Sequence, residues 1–214
     1  MIGYWTNQNV IAQGIMTRTE QEQNAREIWG YFQSKGWNIY PVCGMLGNME
    51  IESFLNPAQW QIGSTIENPD PQNVDGYGLV QWTPWQKYVN ATFGSWYAGD
   101  NWRTNYIREL DRIQYEVDFD AEYPNQGQWI SRRVEVPGGF LPPMSFEYYA
   151  EHPMSPDIAA RVFYLCYERG TGDITPRANA AIAWYNYLSE VGPLPPSGRP
   201  IPIWLLFKLK ERYK

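Results

Sequence analysis

A chain of 214 residues fits one domain of good size, or one domain with an appendage. Its formal net charge of -6 and pI of about 4.9 come with no dense basic patch. That excludes nucleic acid as the main partner and argues against a freely diffusing protein that finds an anionic surface by charge.

In chain order, residues 1–17 read as an irregular arm. Thr19 and Glu22 fit a capping box, and Ala25, Ile28, Trp29 and Phe32 follow at helical spacing. Gly36 ends that helix as a C-terminal cap. Pro41 opens a second helix at a first-turn position, and Asn56-Pro57 closes it. Residues 62–75 are rich in Asn, Asp, Pro and Gly and read as a loop. Tyr77 to Trp82 is the best short strand, one arm of a small hairpin. Thr83-Pro84 starts a helix through about Phe93. Asn105 to Asp118 is helical, with Ile107, Leu110, Ile113 and Val117 on one face.

Residues 120–154 contain Pro137-Gly138-Gly139 and Pro142-Pro143, so a long exposed loop is expected there. Ser155-Pro156-Asp157 is a helix start, with Ile158, Ala159, Val162, Phe163 and Cys166 as the buried stripe. Pro176 starts the last helix, carrying Ala181, Ile182, Tyr185 and Leu188. The domain then spans 18–192. Five prolines within 193–202 make a stiff linker, and 203–214 form an apolar and then basic tail with Trp204, Leu205, Leu206 and Phe207. That tail is too short to span a membrane, and no stretch reaches the roughly 18 apolar residues of a spanning helix. Met1 to Trp5 carry no basic, apolar leader, so no secretory signal is expected. Cys43 and Cys166 sit in apolar helical stretches and read as buried free thiols, with a single disulfide as the alternative. No Cys/His cluster suits a metal, so no metal or cofactor is expected. His152 has no sequence partner and reads as loop structure.

Two segments carry the chemistry. In Gly44 to Ser53, the residues Val42, Met45, Leu46, Met49 and Ser53 share one helical stripe. Glu52 falls at one edge of it, and Glu50 at the other. Residues two apart on a helix do not face each other, so these two are not a pair. Ile51, Gly44 and Gly47 take the back face, which makes the helix buried nearly all round and lets neighbours approach at the glycines. A glutamate at the rim of such a helix is partly desolvated, as a general acid must be. A glycosidic bond is cut by this kind of protonated carboxyl beside a sugar groove. The second segment, Asp75 to Trp82, is a Gly-rich turn feeding a Gln/Trp strand. The chain has 11 Trp and 16 Tyr. Most pack in the core, while Trp60, Tyr77, Trp82 and Trp85 crowd the two motifs and are the candidates for stacking on pyranose faces.

Gly44 to Asn48, Glu52-Ser53, Asn56-Pro57 and Gly78-Leu79-Val80-Gln81 resemble the phage tail lysozymes, and more loosely the goose-type lysozyme and lytic transglycosylase group. A later match is Tyr167-Glu168-Arg169 followed by Trp184-Tyr185 and Leu188; the likeness covers roughly residues 19–190. It implies a mainly α (α+β, lysozyme-like) domain with a buried central catalytic helix and a small β-hairpin beside the sugar groove. It implies a virion-associated muramidase acting on bacterial peptidoglycan, with Glu52 as the acid. Tyr77, Gln81, Trp82 and Tyr167 would bind substrate. The second carboxylate is less defined: Asp75 is the nearest candidate, then Asp70, then Glu168, which beside Arg169 reads more readily as an ion pair. An Asp75 at roughly 6.5 to 9.5 Å across the groove would activate water. The alternatives are a lytic transglycosylase giving 1,6-anhydro products, a non-catalytic structural tail or wall-binding protein, and a lysozyme module of conjugation machinery. The 203–214 tail would dock on other tail proteins. A protein made in the host cytoplasm without a leader would leave in the virion.

Overall fold

The computed structural model describes residues 16–61, 75–90, 97–99 and 107–193. Residues 1–15 of the expected 1–17 arm, Asp70 with residues 62–74 of its loop, and residues 194–214 of the expected linker and tail lie outside them. Helix α1 is Arg18–Gln33, and its capping box is Thr17 with Glu20, not Thr19 with Glu22. Both Thr-x-x-Glu pairs fit the pattern. The earlier one takes the cap, and Glu22 pairs instead with Arg18 one turn away, at 3.3 Å. Helix α2, Ile39–Ser53, starts at the N-cap Asn38, whose side chain accepts from the Tyr40 N–H. It stops before Asn56-Pro57, because Phe54 and Leu55 both turn left-handed, at φ 55° and 57°.

Helix α2 is the centre of the domain. Helix α6 (Pro156–Phe163), continued by a wider π-helical turn at Tyr164–Glu168, and helix α7 (Thr175–Val191) pack on it closely. The two α2 glycines make this approach feasible. A Cβ on Gly44 would sit 2.5 Å from the Ala159 backbone, and one on Gly47 would sit 2.4 Å from the Arg177 carbonyl oxygen. Asn48, buried between the helices, donates to the Gly44 and Ala160 carbonyls. Ile51 departs from expectation: it is 42 % exposed, because the end of α2 emerges from the bundle on that side. In α7 the core positions are Ala181, Trp184 and Leu188, and the expected Ile182 is exposed.

The helix expected from Thr83-Pro84 is, among the described residues, the single-turn helix α3, Gln86–Val89; helix α4, Ile107–Glu122, buries the predicted Leu110, Ile113 and Val117. It also buries Glu109, Arg112, Glu116 and Asp120, a charged ridge at three- and four-residue spacing. Asp120 ends the ridge by accepting from the backbone N–H groups of Asn125 and Phe146. The segment expected to be one long loop holds the two-stranded sheet of the described residues. Its strands β1 (Val134–Val136) and β2 (Gly139–Leu141) are antiparallel, with Val134 opposite Leu141. Helix α5, Phe146–Glu151, follows, capped by the Ser145 hydroxyl. Pro137-Gly138 is therefore a hairpin turn; the Pro/Gly signal was right about the turn, but the flanking strands are too short to show a period. The fold is thus mostly helical with one small antiparallel sheet, a lysozyme-like arrangement. Cys43 and Cys166 are buried free thiols, pushed up to about 12 and about 11 by burial.

Candidate functional site

Glu52 lies in the last turn of α2 and lines an open cavity of about 480 Å³. Its side chain is one-quarter exposed and accepts a short charge-assisted hydrogen bond from the Arg177 guanidinium of α7. The close approach at Gly47 brings the Arg177 backbone against α2 and so sets this pairing across 125 residues of sequence. Arg177 also stacks over the Tyr164 ring, 4.4 Å from its centroid. Glu168 completes the group. Its side chain is 9 % exposed, lies 3.9 Å from Arg177 Nε and lines the same cavity as Glu52. Burial first, and then the like charge of Glu52, hold Glu168 well above the ordinary carboxylate range, against the opposing pull of Arg177. The expected Glu168–Arg169 pair does not form. Arg169 turns left-handed at φ 59°, ends the π-helical turn and donates to the Gln128 side chain.

The second motif forms a tight turn and not a strand. Tyr77 bridges antiparallel to both Trp60 and Trp82, and Gly78 to Gln81 turn between the two ends. Gly78 at φ 83° has no room for a side chain: a Cβ would meet the Glu109 carboxyl at 2.7 Å. Four hydrogen bonds involving side chains fix the turn. The Ser53 hydroxyl donates to the Leu79 carbonyl, which ties it to the end of α2. The Leu79 N–H donates to Glu109 at 2.7 Å. The Gln81 amide donates to the Gln59 and Gly78 carbonyls, both at 2.9 Å. Glu109 is fully buried, and burial raises its carboxyl well above the ordinary range, partly offset by the Leu79 bond.

Beneath the cavity, Tyr167 donates a short hydrogen bond to Glu116, which pairs with Arg112 at 2.7 Å. Burial raises Glu116, opposed by Arg112 and by the Tyr167 bond. The raised Glu109 and Glu116 both lie on the α4 ridge. Sequence reading missed that ridge, although its three- and four-residue spacing was there to be seen.

Of the residues singled out from sequence, Glu52, Gln81, Trp82 and Tyr167 come together on the cavity wall, with Glu168 beside Glu52. Asp75 is not among the lining residues. Its carbonyl accepts from the Trp85 N–H, which braces the entry to the turn. Tyr77 is 1 % exposed and stacks on Tyr88 and against Trp60. Trp82 stacks on Tyr88 with centroids 5.0 Å apart, and Trp60 and Trp85 pack edge to face. These rings form an aromatic cluster behind the groove, so their faces serve packing. Arg177 had no signal in sequence, since its partners are far along the chain.

A helical domain built on a buried helix, whose terminal glutamate opens into a cleft beside a Gly-rich turn, is of the lysozyme-like class. The chain belongs to the phage tail lysozyme family, whose model matches residues 23–188. It is also 33 % identical over 180 residues to Morphogenesis protein 1 of Bacillus phage B103, covering 83 % of this chain and 42 % of that protein. The chain thus spans less than half the length of this curated relative. Family and relative together point to a lysozyme-like component of a phage.

Proposed function

We propose that this protein is a virion-associated muramidase that cleaves the β-1,4 glycan bonds of bacterial peptidoglycan, with Glu52 as general acid. The observation that carries the reading is the position of Glu52: at the end of the central buried helix, partly exposed, on the wall of an open cleft. A carboxyl so placed can hold a proton and reach a substrate oxygen. Gln81, Trp82 and Tyr167 shape the cleft around it. In this reading Asp75, at the entry to the Gly-rich turn and outside the lining residues, is the carboxylate that activates the attacking water. The family match and the phage relative agree with this role. Ile203 to Lys214 would dock the enzyme on neighbouring tail proteins, since burying each large apolar side chain there is worth roughly 1.5–3 kcal/mol.

One observation favours a second reading. Among the described residues the carboxyl group that accompanies Glu52 in the cleft is Glu168, which crowds the same arginine, Arg177, and does not stand apart across the groove as a water-activating base does. A lone acid working with internal attack by the muramyl 6-hydroxyl fits that arrangement, as in a lytic transglycosylase. Mass spectrometry of purified peptidoglycan digested by the protein tests both. Reducing muramyl ends are expected. Only 1,6-anhydro ends would replace the hydrolase with the transglycosylase, and intact glycan strands would remove the glycosidase reading altogether.

A further inference from the structure

We propose that Glu52 and Glu168 share a single proton over Arg177, and that Glu168 is the positioning residue that keeps Glu52 supplied with it. This rests on the reading of Glu52 as the glycan-cleaving acid.

Three observations carry it. Glu168 is nine-tenths buried, yet neither of its oxygens receives a hydrogen bond from a donor among the described residues. A buried carboxylate in that position loses its solvation and gets nothing in return. A proton on it removes the charge and turns one oxygen into a donor. Second, Glu52 and Glu168 crowd one arginine in the same cleft, and two carboxylates so placed do not both ionise readily, so one proton stays on the pair. Third, Arg177 hydrogen-bonds Glu52 and lies within ion-pairing distance of Glu168, so two carboxyls, one proton and one guanidinium make a neutral group in a poorly solvated wall. Among the described residues, the titratable and charged groups facing Glu168 are Glu52 of α2, Arg177 of α7 and Tyr149 of α5. Lys87 and Arg169 also line the cleft.

The step balances without a co-reactant beyond water. The shared proton moves from Glu168 to Glu52, and the Glu168 carboxylate pairs with Arg177. The Glu52 O–H bond then breaks as that same proton goes to the glycosidic oxygen, and the bond from that oxygen to the sugar carbon breaks. Water adds its oxygen to the sugar carbon, and its proton returns to the pair.

Two measurements test this, one of them independent of activity. By infrared difference spectroscopy, the protonated-carboxyl band lost in Glu168→Gln identifies the Glu168 proton. In Glu52→Gln that band should disappear at lower pH than in the wild type, because the like charge that retains the proton is gone. If the band titrates at the same pH in both, or if Glu168→Gln removes no band, sharing is wrong whatever the enzyme does. On wall substrate, Glu168→Gln should lower kcat/KM at pH 7 about tenfold, with KM nearly unchanged. The alkaline limb of its pH profile should also move to lower pH. A variant profile that superimposes on the wild type would overturn the proposal while leaving the glycosidase reading intact. A wild type inactive on glycan strands would overturn that reading while the infrared result still decides the sharing.

Discussion

Two sets of carboxyls, one on α4 and one at the end of α2, do opposite things in this domain. On α4, Glu109 and Asp120 accept backbone N–H groups at 2.7 to 3.1 Å, and Glu116 takes Arg112 and the Tyr167 hydroxyl. Each of these acids is spent on holding another segment in place. At the end of α2, Glu52 and Glu168 are met by one shared arginine and face an open cleft. Burial and a raised proton affinity mark Glu109 and Glu116 in the first set and Glu168 in the second, so neither property by itself identifies a working acid. The difference lies in the donors: a carboxyl whose oxygens are taken by the backbone builds structure, and one that keeps access to a cleft can move a proton.

Isosteric and truncating substitutions should separate the two sets. On stability the largest change is expected for Glu109→Ala. It leaves a void and strips the Leu79 N–H of its acceptor, at a cost of about 3 kcal/mol by urea denaturation. Glu109→Gln keeps the acceptor and should lose little at low pH. A Gln variant as unstable as the Ala variant there would mean that Glu109 acts as a charge and not as a neutral acceptor.

Gly47→Ala should cost about 2 kcal/mol, because the new methyl meets the Arg177 carbonyl and must push α7 away. It should lower glycan cleavage as well, since Arg177 moves with that backbone. Unchanged activity in this variant would break the link between helix approach and site geometry. The pH dependence sharpens the contrast further. Glu109 has a raised folded-state proton affinity, so the folded chain keeps a proton that the unfolded chain releases. Its contribution is fully present below its unfolded value near 4.5 and is lost as pH rises through its folded value. Wild-type stability should therefore fall relative to Glu109→Gln as pH rises above that unfolded value, and parallel curves would contradict the assignment. The smallest effect is expected far from both sets. Thr17→Ala removes the α1 cap for about 1 kcal/mol, with glycan cleavage unchanged.

The sequence made one of these two regions legible and hid the other. The apolar stripe of α2, the close approach at Gly44 and Gly47 and the rim position of Glu52 all follow from counting along a single helix. The α4 ridge obeys the same counting, but Glu109, Arg112, Glu116 and Asp120 read as a solvated face, because charge normally means surface. Only the turn, Tyr167 and α5 packing over that ridge make it interior. The Glu52–Arg177–Glu168 group joins three separate parts of the chain, and no local pattern encodes such a meeting. Tyr77 and Trp60 were chosen for their nearness to the motifs; whether a ring faces a groove or a core depends on what stacks on it, here Tyr88 and Trp85. The Tyr77–Trp82 segment has strand-forming residues but closes on itself through Gly78 and Gln81, both left-handed.

Cleavage of purified peptidoglycan by the wild type and by Glu52→Gln, side by side, tests the central assignment most directly. The amide fills the same space beside Arg177 and leaves the buried stripe of α2 untouched, so the variant should fold with a thermal midpoint close to that of the wild type. It should release new muramyl ends at least about a hundredfold more slowly, because an amide has no proton to give. A folded Glu52→Gln protein that releases those ends at the wild-type rate would contradict the account.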